Sequence, residues 1–250
     1  MNKMNVATQI KEFDLKTKFT VILVHPENPE NIGLVARNMK NTGFEKLRLV
    51  GVTSIDQKSY VTAVHARDVL ERVQFFPDLG EATADLDLIF AATSKRRKNF
   101  PSIYLRDALK EMVSFPLSTK IGFLFGNERT GLTSAELRSS NFRFIIPQVA
   151  RQPSYNLASA VLLTLFHVYA YDFKEVEITK EKPLSRKEQE ECIRLILRKL
   201  AQKKFIHKKN KRHMTEMIYD LFGRLALTSK DRKLLLALFS KAVDWYQEKR

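Results

Sequence analysis

The stretch FTVILVHPENPENIGLVARNMKNTGF, residues 19–44, decides the fold. Its first six residues, Phe19–Val24, are apolar and largely β-branched. A run of that length suits a strand covered on both faces, as in a parallel sheet. HPENPE then makes a polar turn, and Asn31–Lys40 reads as a helix. Ile32, Val35, Ala36 and Met39 fall on one helical face. Gly43 supplies the C-terminal stop. Strand, loop and helix in that order are the first half of a βαβ unit.

The same pattern repeats outward. Leu47–Val50 reads as a strand, Ser59–Leu70 as a helix and Val73–Phe76 as extended. Leu86–Ala91 is another strand and leads into the basic loop TSKRRKN. Ile103–Val113 reads as a helix and Ile121–Phe125 as a strand. A capping-box signal, Thr133 with Glu136, opens the next helix. Phe142–Ile146 is the last strand, and a long apolar helix begins at Asn156 or Leu157. Alternation of this kind predicts an α/β fold with a mostly parallel sheet and helices on both faces. From Ser185 onward only helices are expected, over about residues 185–203, 211–226 and 229–248, after a charged stretch at 174–187 that Pro183 interrupts. The three parts are 1–173, 174–187 and an all-α extension, 188–250.

Forty-three Lys and Arg against 28 Asp and Glu give a formal net charge of +15 over 250 residues. Such an excess points to a polyanion, nucleic acid before an anionic membrane. The single cysteine, Cys192, excludes an intrachain disulfide and a cysteine zinc site, and no metal is expected. No apolar run is long enough to cross a bilayer, and the N-terminal residues do not read as a secretory signal. A cytoplasmic protein is the expectation.

Unusual residues gather in the loops after the strands, where ligands bind in open parallel sheets. Gly33 sits inside a helix, at a cost of about 1 kcal/mol relative to alanine. It has two readings. It lets a second helix pack closely, or it clears space for Arg37, whose side chain leans back toward the helix start. GNERTGL, residues 126–132, lacks the phosphate-loop fingerprint. Glu128 there suits an arginine or a ligand hydroxyl, or a structural pair with Arg129. Ser154, Tyr155 and Asn156 stand at a helix entrance, where amide donors are unsatisfied and a cap is the plain alternative.

Taken in order, three boxes resemble the SpoU branch of the SPOUT methyltransferases. They are Asn31, Gly33 and Arg37; Phe125, Gly126, Glu128, Gly131 and Leu132; and Ile146, Pro147, Ser154 and Asn156. The resemblance spans residues 19–172. The tail, with Phe205, His207, Asn210 and Met214, is more loosely similar to the TrmJ-type tRNA 2′-O-methyltransferases. Tyr155 departs from the leucine more common in the family.

The resemblance implies a deep trefoil knot over about residues 121–172, a homodimer, and S-adenosylmethionine bound in the knot. The implied cofactor contacts are Thr93, Ser94, Lys95, Gly126, Ile146, Pro153, Ser154 and Tyr155. The implied reaction is methylation of a ribose 2′-hydroxyl in RNA, with tRNA the substrate and position 32 of the anticodon loop the target. Ribosomal RNA is the alternative within the family, and a non-catalytic RNA-binding module the alternative outside it. Arg37 is the implied catalytic arginine, with Asn31 and Glu128 orienting it and Ser154 and Asn156 shaping the site. Gly33 is then expected to make room for Arg37. Arg96, Arg97 and Lys98 in the loop, and Lys208, Lys209, Lys211 and Arg212 in the tail, are the candidate RNA contacts.

Overall fold

The computed structural model describes residues 18–94, 101–149, 154–171 and 178–245. Seven parallel strands form one sheet: β1 (Phe19–Val24), β2 (Lys46–Val50), β3 (Gln74–Phe76), β4 (Leu88–Ala92), β5 (Ile103–Tyr104), β6 (Ile121–Phe125) and β7 (Phe142–Ile145). Their order is β3-β2-β1-β6-β4-β7-β5. Every residue of β1 and of β6 is buried. That is why these strands are almost wholly apolar, with Thr20 their one polar residue: each faces helices on both sides.

The first helix, α1 (Pro29–Thr42), shows why it starts and stops where it does. Asn28 caps it by accepting the Glu30 amide, and Pro29 stands in the first turn, where a missing N–H costs nothing. Gly43 ends it in the left-handed region, φ 80. α2 (Gln57–Ala63) and α3 (Arg67–Glu71) follow, then α4 (Leu79–Thr83), α5 (Leu105–Val113), α6 (Ser134–Arg138) and α7 (Leu157–Ala170). The capping box expected at Thr133 is formed, with Glu136 reaching back to the Thr133 amide.

Two boundaries differ from the sequence reading. Ser59–Leu70 is not one helix, because Val64 adopts φ 54 and ψ −105 and breaks it into α2 and α3. Ile103 and Tyr104 are strand, pairing with Phe144 and Ile145, and the helix starts at Leu105. The short helix α4 gave no periodic signal, being five residues long.

One core lies under α1, α5 and α7, with Phe90, Phe123, Phe125 and Phe144 at its centre. Phe144 meets Phe123 and Phe125 edge-on at 6.5 and 6.4 Å. Each such ring contributes roughly 1.5–3 kcal/mol through burial. A second core, with Ile22, Ile89 and Leu124, covers the other face.

The C-terminal helices α8 (Arg186–Gln202), α9 (Lys211–Gly223) and α10 (Ser229–Trp245) share a third core around Cys192, Ile196, Ile218 and Phe222. They join the sheet at the amino ends of its strands. Asn141 accepts the Ile89 amide at 2.9 Å and donates to the Leu225 carbonyl at 2.9 Å. The Arg186 amide donates to the Leu86 carbonyl. Two guanidiniums are buried here. Burial pulls Arg143 down to about 10 and Arg186 likewise to about 10, and both donate to backbone carbonyls. Cys192 is buried and its thiol is pushed up by burial, a packing residue as its position suggested.

Candidate active site

The carboxyl ends of β1, β4, β6 and β7 lie side by side, and the loops leaving them meet. A cavity of about 300 Å³ opens among those from β4, β6 and β7 and the start of α7. It lies beside the place where strand order reverses, the expected position for a ligand in an open α/β sheet.

A chain of carboxamide and carboxylate groups ties the loops together. Glu128 Oε2 accepts the Glu27 amide at 2.9 Å. Glu128 Oε1 accepts the Asn28 amide at 3.2 Å and Asn31 Nδ2 at 2.9 Å. Asn31 Oδ1 in turn accepts Asn156 Nδ2 at 3.0 Å. Asn156 Oδ1 caps α7 by accepting the Ala158 amide at 2.9 Å. One carboxylate and two asparagines thus connect the start of α1, the β6 loop and the start of α7. Burial pushes the Glu128 carboxyl up, but hydrogen bonds, from Asn31 first and then from the Glu27 and Asn28 amides, hold it below the ordinary value. Glu128 is therefore a carboxylate at neutral pH.

The β6 loop is itself rigid. Asn127 Oδ1 accepts the Arg129 and Thr130 amides at 2.9 and 3.1 Å, and Asn127 Nδ2 donates to the His25 carbonyl at 2.8 Å. Gly126 packs against the returning chain. A Cβ there would stand 2.3 Å from the Gly131 carbonyl carbon and 2.4 Å from the Leu132 nitrogen, so only glycine fits.

Thr93, Ser94, Gly126, Ile146, Ser154 and Tyr155 all line the cavity. Lys95 and Pro153 lie outside the described residues, as do Arg96, Arg97 and Lys98. The Tyr155 hydroxyl donates to the Pro147 carbonyl at 2.9 Å, and Gln148 Nε2 to the Ser94 carbonyl at 3.3 Å. Neutral hydroxyls, carboxamides, backbone groups and apolar side chains dominate this lining. That donor set suits an adenosyl group, which needs hydrogen bonds and an apolar wall rather than counter-charge.

Gly33 is corrected. A Cβ there would stand 2.1 Å from the Ser59 carbonyl oxygen and 2.1 Å from Thr62 Oγ1. Gly33 makes room for α2, not for Arg37. Ser59 and Thr62 complete the contact by donating to the carbonyls of Pro29 and Glu30. Arg37 is exposed and, among the described residues, makes no hydrogen bond or ion pair. Glu128 and Asn31 hold each other and the loops, and neither touches Arg37 in this chain.

Lys208, Lys209, Lys211 and Arg212 are exposed at the α8–α9 turn. Lys204, His207, Lys208 and Lys211 line a shallow groove there, and Phe205 is exposed beside it. The first turn of α9 holds Lys211 and Arg212 and no acid. Cations are disfavoured at a helix N-terminus, so helix stability does not account for this placement. Among the described residues no group of His, Cys, Asp and Glu could hold a metal, and no helix is long and apolar enough to cross a membrane.

A parallel α/β domain with a nucleoside-sized cavity at its carboxyl edge, walled by glycine-rich and carboxamide-tied loops, is an architecture suited to a nucleoside-containing cofactor. The chain belongs to the SpoU rRNA Methylase family, whose profile matches residues 18–166. It is accordingly a methyltransferase that uses S-adenosylmethionine.

Its relatives include a tRNA (cytidine-2′-O-)-methyltransferase TrmJ from Methanocaldococcus jannaschii. That protein is 32% identical over 231 residues, 88% of this chain and 97% of the relative. The tRNA (cytidine/uridine-2′-O-)-methyltransferase TrmJ of Salmonella typhimurium is 31% identical over 59% of this chain, which spans 62% of that enzyme. Among solved structures, TrmJ from Z. mobilis superposes with a TM-score of 0.76 at 26% identity. The match covers 89% of this chain and 98% of that one.

Proposed function

We propose that the protein transfers a methyl group from S-adenosylmethionine to a ribose 2′-hydroxyl of tRNA. The observation that carries the reading is the Glu128–Asn31–Asn156 chain of hydrogen bonds beside the cavity. It gathers the three boxes of the sequence into one place and fixes the loops from which a site must be built. The identity to the archaeal TrmJ over nearly its whole length supports tRNA as the substrate. The target within tRNA that fits this reading is the anticodon loop at position 32, on cytidine or uridine.

Thr93, Ser94, Gly126, Ile146, Ser154 and Tyr155 would hold the cofactor, with Lys95 and Pro153 completing the set. The bound cofactor supplies an electrophilic methyl group. The chain's own residues must align the acceptor hydroxyl and stabilise the charge it develops. Arginine is a poor base but a good fork for phosphate and alkoxide oxygens. Arg37 takes that role, binding the acceptor's phosphate and stabilising the developing oxyanion. Glu128, Asn31 and Asn156 are positioning residues for the loops, and Ser154 meets the cofactor or the ribose from the cavity wall.

Arg37 is absent from the lining of its own cavity, which favours a homodimer in which each copy lends Arg37 to the other. Leu162, Phe166 and Tyr169 are exposed on α7 at helical spacing and offer that dimer an apolar face. The knot, formed by threading of the chain between β6 and α7, belongs to the same reading, as does a cytoplasmic location. Residues 1–173 would form the catalytic unit, 174–187 a connector and 188–250 an RNA-binding extension. Its contacts would be Lys208, Lys209, Lys211 and Arg212, with Arg96, Arg97 and Lys98 on the catalytic unit.

The test is direct. Purified protein and labelled S-adenosylmethionine are incubated with unmodified tRNA or ribosomal RNA, and the digested RNA is read by nucleoside mass spectrometry. A 2′-O-methylated nucleoside from tRNA, lost in Arg37→Ala, is the expected result. Transfer to ribosomal RNA alone would move the substrate. Cofactor binding without transfer to either RNA would overturn the assignment.

A further inference from the structure

We infer that Arg129 binds the other of the two phosphates that flank the target nucleotide, beyond the one given to Arg37, and that Glu27 holds its place until RNA arrives. The inference rests on the methyl-transfer reading of the cavity and adds to it a substrate contact that the three boxes do not contain. Among the described residues lining the cavity, Arg129 is the only Lys or Arg. An acceptor ribose placed at the cavity mouth carries phosphates on both sides, and these must lie along the rim where Arg129 stands.

The backbone beneath Arg129 is fixed while its side chain is free. Asn127 Oδ1 accepts the Arg129 amide at 2.9 Å, and the Gly131 amide closes the turn onto the Asn127 carbonyl at 2.8 Å. The guanidinium side chain, by contrast, is 77% exposed. Among the described residues its one ionic partner is Glu27, whose side chain is 54% exposed, at 3.9 Å from Nε. A pair so long and so wet contributes at most about 1 kcal/mol and is easily exchanged for a better anion. A phosphate offers the planar fork two oxygens, a stronger arrangement than the Glu27 contact. Glu27 is itself anchored through its backbone amide to Glu128, which keeps the residue within reach of Arg129 while its exposed carboxylate is left to turn away. In the free protein this acid suppresses binding of stray anions at the rim. RNA displaces it.

The experiment separates this role from a structural ion pair and from a cofactor contact. Affinity of the full-length protein for an unmodified tRNA transcript is measured across a series of KCl concentrations. Affinity for S-adenosylmethionine is measured separately by calorimetry without RNA. Arg129→Gln is expected to weaken tRNA binding about tenfold near 0.1 M salt and to reduce the salt slope by about one, with cofactor affinity unchanged. Arg129→Lys should keep most of the affinity and the full slope. Glu27→Gln should tighten tRNA binding severalfold.

Three outcomes overturn the inference. Arg129→Gln could leave tRNA affinity and slope as they were. It could weaken cofactor binding, which would assign the cation to the cofactor carboxylate. Glu27→Gln could weaken tRNA binding as much as Arg129→Gln, which would make the pair structural. All these readouts are binding measurements, so a failure to detect methyl transfer to any RNA would count against the reaction and leave the Arg129 result interpretable.

Discussion

Replacing Glu128 by glutamine changes one oxygen into an NH2 group and almost nothing else in shape. The carboxylate accepts three donors, the amides of Glu27 and Asn28 and the Asn31 side chain. Glutamine can serve two of them with its oxygen, and its NH2 then faces the third, donor against donor. Hydrogen bonds to a charged group are worth about 1.5–3 kcal/mol each, and the two that survive lose their charge assistance. Glu128 is partly exposed, so water recovers some of this. A net loss of about 1–2 kcal/mol follows, or a fall in Tm of about 2–8 °C for a chain of this size. Activity should suffer more than stability. The Glu27 and Asn28 amides belong to the loop that starts α1, and displacing it by an ångström is enough for a loss of about 100-fold in kcat/KM. Calorimetry and a methyl-transfer assay with labelled cofactor read the two quantities. A cycle with Asn31→Ala should show coupling of about 1 kcal/mol, because Glu128→Gln strips the charge assistance from the bond that Asn31→Ala removes. Wild-type kcat/KM in Glu128→Gln, or strict additivity in the cycle, would refute the argument that this network builds the site.

Gly33→Ala pits two terms against each other. Alanine gains about 1 kcal/mol of helix propensity, while a Cβ 2.1 Å from the Ser59 carbonyl forces α1 and α2 apart at a cost of about 1–3 kcal/mol. A net loss is expected in urea unfolding, and unchanged stability with lost activity would restore the reading that Gly33 serves Arg37. Acidification should act through Glu128. Its folded carboxyl lies below its ordinary value of 4.5, so its contribution is complete above that pH and is lost as pH falls through the lowered value. The urea midpoint should therefore decline less below pH 4.5 in Glu128→Gln than in the wild type. Asn141→Ala should cost about 1–3 kcal/mol, since it orphans the buried Ile89 amide and unties Leu225. A Tm within a degree of wild type would count against the tie between the sheet and the C-terminal helices.

Much of the sheet was legible because its strands are buried on both faces. FTVILV and IGFLF hold one polar residue between them, the buried Thr20, and the later helices carry caps that can be named from sequence, such as Asn156 and the Thr133–Glu136 box. The break at Val64 was not legible, since nothing in YVTAVHARD requires a β-branched residue at positive φ. Gly33 failed for a related reason. A sequence shows that a glycine has been spent, but what stands opposite its missing Cβ is a matter of how α2 returns over α1. The three boxes predicted that Asn31, Glu128 and Asn156 matter. They did not predict the bonding, in which the two asparagines bridge from the carboxylate to the cap of α7 and leave the arginine out.

That bonding changes what the first box means. Counting about 100° per residue, Arg37 stands roughly 120° around α1 from Asn31. Asn31 turns toward Glu128 and Asn156, and Asn38, close to its stripe, donates to the Ala158 carbonyl of α7 at 2.9 Å. Gly33 turns toward α2. Arg37 falls outside both contacts and is exposed. The box is therefore three residues with three different duties: Asn31 organises its own cavity on one side of α1, while Gly33 and Arg37, about 40° apart on the other side, divide the work, Gly33 setting the depth at which α2 packs and Arg37 standing exposed beside that contact. A long cation on the side of α1 away from Asn31 fits the proposal that Arg37 acts on a partner copy's cavity rather than on its own. The cost of Gly33 in helix propensity then has its return in geometry, because the same close packing that excludes a side chain at 33 fixes where Arg37 points.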